Sequence, residues 1–238
     1  MNRWAAIVAL TLLAVLMFAG CAGKQKPEVP AFSDDPQQFI YHVREKACGH
    51  YSHGVPYEPS HALGPDALPI LEAMLTDPRR VKNHVYIVLT IGHIGDDRGF
   101  DILRNYIENQ QLTSDEEMTD RAWVYYAIGC VAGQGSDRAL EYLLHFYLPE
   151  HWSSENTALK NGLCSENAKH CYNLAILGLG MSGRPKAKAV LEEILADPNR
   201  QSLHSTAELA LQYHDKVMAK GFAGFFKRDP SEELKYTP

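Results

Sequence analysis

The stretch Ile91-Gly92-His93-Ile94-Gly95-Asp96-Asp97-Arg98-Gly99-Phe100-Asp101-Ile102-Leu103 decides how this chain folds. It sets a glycine, a short polar turn and a second small residue ahead of a leucine, and the arrangement recurs. Leu179-Gly180-Met181-Ser182-Gly183-Arg184-Pro185-Lys186-Ala187-Lys188-Ala189-Val190-Leu191 repeats it, with the same seven-residue step from Gly180 to Ala187 as from Gly92 to Gly99. A third copy runs from Ile128-Gly129 to Ala139 and Leu143, lengthened by three residues at the Gly133-Gln134-Gly135 turn. Ala67 to Leu75 is a partial first copy. Leu71, Leu103, Leu143 and Leu191 become equivalent, at spacings of 32, 40 and 48.

Self-similarity at such periods is the mark of a repeat architecture. Apolar residues recur three and four apart on both sides of each turn, as in Phe100, Leu103, Tyr106 and Ile107 and in Leu140, Leu143, Leu144 and Tyr147, so each unit reads as a helical hairpin. Glycine before the turn allows a left-handed C-terminal cap, and Asp96 or Ser136 can cap the helix that follows. Helices are expected at about 36–48, 66–76, 80–94, 97–109, 116–132, 136–148, 168–182, 185–196 and 201–220. A single hairpin cannot bury its apolar stripe, so the units must stack. The expected fold is all-α, an α-solenoid of about four to five hairpins over residues 35–220, closed by a C-terminal cap or tail at 221–238.

The Gly92 to Leu103 motif resembles the HEAT repeat, in the subclass typified by phycobilisome lyases, whose pattern is Ala-Leu-Gly-x-Ile-Gly-Asp-x-x-Ala-x-x-x-Leu. The resemblance covers roughly residues 36–220. It implies a surface for another protein, with the second helix of each hairpin lining the concave side. Arg98, Asp101 and Asn105, and then Arg138, Glu141 and His145, fall opposite the apolar stripe and would form a mixed-charge protein-binding groove; the simpler account of each is a solvated helix face. Deoxyhypusine hydroxylase, an enzyme of this repeat class, binds two irons through His-Glu dipeptides, and none of the eleven histidines here precedes a glutamate. Lyase activity on bilins, the other precedent, belongs to a different compartment from the one the N-terminus specifies.

Residues 1–20 read as a targeting segment. The apolar run from Trp4 to Phe18 is shorter than the roughly 20 residues that span a bilayer and fits the hydrophobic region of a secretory signal. Phe18-Ala19-Gly20-Cys21 resembles the lipobox of bacterial lipoproteins, with Phe18 where that family most often has leucine. The resemblance implies cleavage before Cys21, acylation of its thiol by palmitate-like chains, and, because Ala22 stands where an inner-membrane retention signal would place Asp, residence in the outer membrane facing the periplasm. An ordinary signal peptide or an uncleaved anchor is the plainer alternative. Residues 21–34, rich in Pro and Lys, suit a flexible tether.

Composition narrows the rest. With 45% hydrophobic and 22% charged residues, the 238-residue chain has enough apolar content for a packed core. Its 23 basic residues against 29 acidic ones argue against a nucleic-acid partner. No Gly-x-Ser-x-Gly, phosphate-binding loop, His-Glu-x-x-His or Cys-x-x-Cys occurs, so no catalytic residue or cofactor is assigned. The alternative to a protein-binding role rests on Cys48, His50, His53 and His61, whose imidazoles and thiolate suit zinc or copper if the loop brings them together.

Export would expose the remaining cysteines to oxidising conditions. Cys164 and Cys171 are the favoured disulfide, since a bond between them would pin the insertion from Pro149 to Asn167; Cys48 and Cys130 are expected as buried thiols. Trp152 in that insertion is a further candidate protein contact, because insertions into repeats project from one face. Phe222, Phe225 and Phe226 either cap the last hairpin or dock on a partner or lipid surface. Together these readings describe a lipid-anchored envelope protein acting as a noncatalytic adaptor or assembly scaffold.

Overall fold

The computed structural model describes residues 36–48, 55–109, 115–146 and 165–227, and the helical unit begins at Pro36. The helices are α1 (Pro36–Ala47), α2 (Tyr57–His61), α3 (Leu68–Leu75), α4 (His84–Ile94), α5 (Asp97–Asn109), α6 (Asp115–Gly133), α7 (Asp137–Phe146), α8 (Ser165–Ser182), α9 (Pro185–Ala196), α10 (Gln201–Lys220) and α11 (Phe222–Phe225). No strand occurs among the described residues, so the architecture is all-helical, with the helices packed on one another.

The recurring motif builds this arrangement directly. Leu71, Leu103, Leu143 and Leu191 are all fully buried in one continuous core. The long helices α4, α6, α8 and α10 pack side by side in chain order. Small residues at their crossings let the backbones approach. A Cβ built on Gly92 would lie 2.8 Å from the Ala127 carbonyl oxygen, and one on Gly178 would lie 2.6 Å from that of Tyr125. Gly129 faces Gly178, and Gly180 faces Ala210, with even less room.

The motif's glycines therefore divide into two kinds. Gly92, Gly129 and Gly180 sit inside helices and serve packing, so α6 continues past Gly129 to Gly133. Gly95 and Gly183 carry the turns, with φ of 77° and 57°, a region that side-chain-bearing residues rarely enter. Asp96 and Ser136 cap as expected: Arg98 N–H donates to Asp96 Oδ1 at 2.9 Å, and Ala139 N–H donates to Ser136 Oγ at 3.2 Å.

Three departures from the periodic reading have local causes. Residues Pro78–Asn83 form a tighter 3-10 turn ahead of α4, because Asp77 accepts from Arg79 N–H at 3.1 Å and Pro78 presets the first turn. The short α2, Tyr-Glu-Pro-Ser-His, carries a proline and spans too few residues to show a period. In the third, α11 follows Gly221, whose φ of 73° turns the chain back onto the core.

Candidate functional site

The six residues expected to line a groove lie on α5 and α7, and all but Asp101 are exposed. Three of them, Asp101, Arg138 and Glu141, are paired with charges on neighbouring helices. Arg138 Nη2 donates to Asp101 Oδ1 at 2.6 Å, joining α7 to α5, and its guanidinium lies 5.2 Å from the Phe100 ring centre. Lys186 Nζ donates to Glu141 Oε1 at 2.6 Å and Arg184 pairs with Asp137, joining the start of α9 to α7. Lys188 Nζ reaches Asp215 Oδ1 at 3.4 Å, joining α9 to α10. Arg98 turns back to Asp96 at 3.0 Å, while Asn105 and His145 are exposed side chains on the same helices. Ion pairs thus link α5 to α7, α7 to α9 and α9 to α10, a pattern that spacing along one helix does not reveal.

Of the residues proposed for metal, Cys48 and His61 are described, and each has its own partner. Cys48 ends α1, where its Sγ receives a hydrogen bond from Arg80 Nη1 at 3.3 Å. His61 ends α2, where Nδ1 donates to the His93 carbonyl at 3.0 Å and the ring stacks on Tyr57. His50 and His53 lie outside the described residues, and among the described residues no group of three or more His, Cys, Asp or Glu could hold a metal ion.

The expected Cys164–Cys171 bond is not formed at Cys171, which is a free thiol 1% exposed on the core side of α8. Packing against the core explains it: burial pushes the thiol up to about 12 and keeps its sulfur turned inward. Cys48 and Cys130 are free as well, Cys130 fully buried and Cys48 only partly so. Cys21, Trp152 and Cys164 lie outside the described residues, as does the whole segment 4–18; no described helix is long and apolar enough to cross a membrane.

A cluster of rings gathers at the turns. Phe226 stacks on Tyr57 with ring centres 4.9 Å apart and planes at 7°, and His93 meets Phe226 edge-on at 5.0 Å. Phe222 is 9% exposed and packs with Cys130, Met181 and Val217. Gln134 ties the cluster to the repeat. Its amide donates to the Gly92 and Cys130 carbonyls at 3.0 and 3.2 Å and accepts from Tyr57 Oη at 3.3 Å. Burial raises the Tyr57 phenol above its usual value and lowers the His93 imidazole to about 4, with His61 nearby adding to the second effect. These groups are held for packing, and all three phenylalanines of the tail are engaged by the helical unit.

Sequence reasoning overlooked an open cleft of about 750 Å³ between α1, α3 and the 3-10 turn. Ile40, Ile70 and Met74 line it, and Arg44, Arg79 and Arg80 border it. Asp77 is its one carboxylate: Arg79 grips it in a fork, Nε to Oδ1 and Nη2 to Oδ2, both 2.9 Å, and Arg80 Nε lies 3.5 Å from Oδ2. Those contacts hold the Asp77 carboxyl down at about 2. Arg44, on the last turn of α1, is exposed and meets no carboxylate among the described residues. The Arg79-Arg80 pair was the only signal in the sequence, and Arg44 lies too far along the chain to be connected with it by reading alone.

Compared with family models, curated proteins and solved structures, the chain matches none.

Proposed function

We propose that this protein is a lipid-anchored envelope lipoprotein whose HEAT-like α-solenoid is a noncatalytic adaptor that holds another envelope protein. One observation carries the reading. The charges of α5, α7 and α9 lace successive units together, while the cleft at the first hairpin presents guanidinium groups and apolar side chains outward. A laced stack is a stiff support, and stiffness lowers the entropy lost when a partner is seated. The anchor at Cys21 and the tether to residue 34 would confine that support to the bilayer surface, where each buried CH₂ of an acyl chain contributes about 0.8 kcal/mol.

Crosslinking followed by recovery of the lipidated protein from its native envelope tests the proposal. A reproducible protein partner is the expected result, with recovery reduced when Arg98, Arg138 and Glu141 are replaced together by alanine and circular dichroism is unchanged. Those side chains are exposed, so their loss spares the core. Recovery of no protein at all, together with stoichiometric zinc or copper in the eluate, would replace the adaptor reading with a metal-handling one.

A further inference from the structure

From the charge and shape of the first hairpin we infer that the cleft between α1, α3 and the 3-10 turn is the seat of an acidic, leucine-type segment of the partner protein. The inference rests on the adaptor reading and adds the chemistry of what is bound.

Three guanidinium groups face one carboxylate there, in a chain whose net charge is −6. Asp77 occupies one fork of Arg79 and approaches Arg80, which fixes both arginines in place without neutralising the set. Arg79 keeps its side chain 87% exposed, and Arg44 on α1 is exposed and meets no carboxylate among the described residues. A planar guanidinium recognises carboxylates in pairs of parallel hydrogen bonds, so such a border selects Glu or Asp over amides. Beside the arginines, the half-buried Ile40 and Ile70 offer apolar surface that a purely ionic ligand would leave in water. At about 750 Å³ the cleft falls within the roughly 300–1,000 Å³ of ordinary ligand sites. Its concavity favours side chains inserted from a peptide over the flat face of a bilayer. Acidic groups interleaved with branched apolar ones satisfy both features at once.

The test uses the full chain in zwitterionic nanodiscs and a fluorescein-labelled peptide alternating Glu and Leu, with its Gln-for-Glu counterpart as control. Anisotropy should report binding of the acidic peptide only, weakened about tenfold or more by Arg44→Glu with Arg79→Glu and weakened by added salt. Arg44→Glu alone, at an exposed position with no ion pair among the described residues, should weaken binding several-fold while circular dichroism stays unchanged, so a folding defect cannot mimic the result. Equal binding of the two peptides, or equal binding by wild type and Arg44→Glu, would overturn the inference. So would loss of flotation with phosphatidylglycerol vesicles in the double variant while peptide binding is unchanged, which would make the cleft a lipid site. The inference and the adaptor reading fail separately: a crosslinked partner recovered equally by wild type and the double variant keeps the adaptor and removes this cleft from it.

Discussion

His93 shows what one residue of the repeat motif does at this position. Its ring is 2% exposed, its Nδ1 has no hydrogen-bond partner among the described residues, and Tyr57, His61 and Phe226 pack near it. Burial favours its neutral imidazole. The folded value of about 4 lies below the ordinary 6.5 of an unfolded chain, so the stability it contributes is fully present above pH 6.5. As pH falls from there toward 4 the unfolded state takes up the proton first, and about 3 kcal/mol should be lost. Urea unfolding followed from pH 7.5 to 4.5 should show that decline, and His93→Leu, similar in size and without a proton to bind, should flatten it. A decline of equal depth in the variant would assign the acid sensitivity elsewhere.

The residue scale also marks where reading a sequence stops. Asp96 and Ser136 were legible as caps because capping is local chemistry, settled within three residues. Cys171 was legible only as a cysteine near another. Its inward direction follows from the face α8 turns to the core, and that face is chosen by the packing of the neighbouring helices.

Among elements, the decisive contacts are the glycine crossings between α4, α6, α8 and α10. At Gly129 a methyl group would run into the Gly178 backbone, and neither helix can yield without shifting its neighbours. Gly129→Ala should therefore destabilise the domain by about 3 kcal/mol, the upper range of overpacking, despite alanine's better helix propensity. Alanine in place of Gly64, whose surroundings are open, should cost only its strain at a φ of 65°. Comparing thermal unfolding of the two variants checks the assignment, and similar losses would count against close backbone packing at the α6–α8 crossing. The same distinction explains the helix boundaries. Residues 97–109, 185–196 and 201–220 are helical as periodicity indicates, whereas α2 and α11 are too short to carry a period and exist because they pack.

Within the described unit, the short helices α2 and α11 meet. Tyr57 near the start and Phe226 near the end stack face to face, with Gln134 of the middle turn bonded to Tyr57. Phe226→Ala should remove that stack and its buried area, costing about 2 kcal/mol, since the ring is only partly buried. Hydrogen exchange should then quicken in α2 and α11 together and leave α8 protected. Faster exchange confined to α11 would mean that the tail covers the turns without bracing the first hairpin.

The sequence by itself determined the helical hairpins, their turns, the buried leucines and the capping residues, because each depends on residues a few positions apart. It also determined which chemistries have no motif here. Only the tertiary structure decided that Arg138 pairs with Asp101 and Lys186 with Glu141, that Cys171 faces inward, and that Arg44 shares a cleft with Arg79 and Arg80. Those pairings join residues more than thirty positions apart, and nothing in a linear spacing encodes which faces of two helices meet until both have buried their apolar stripes against a common core.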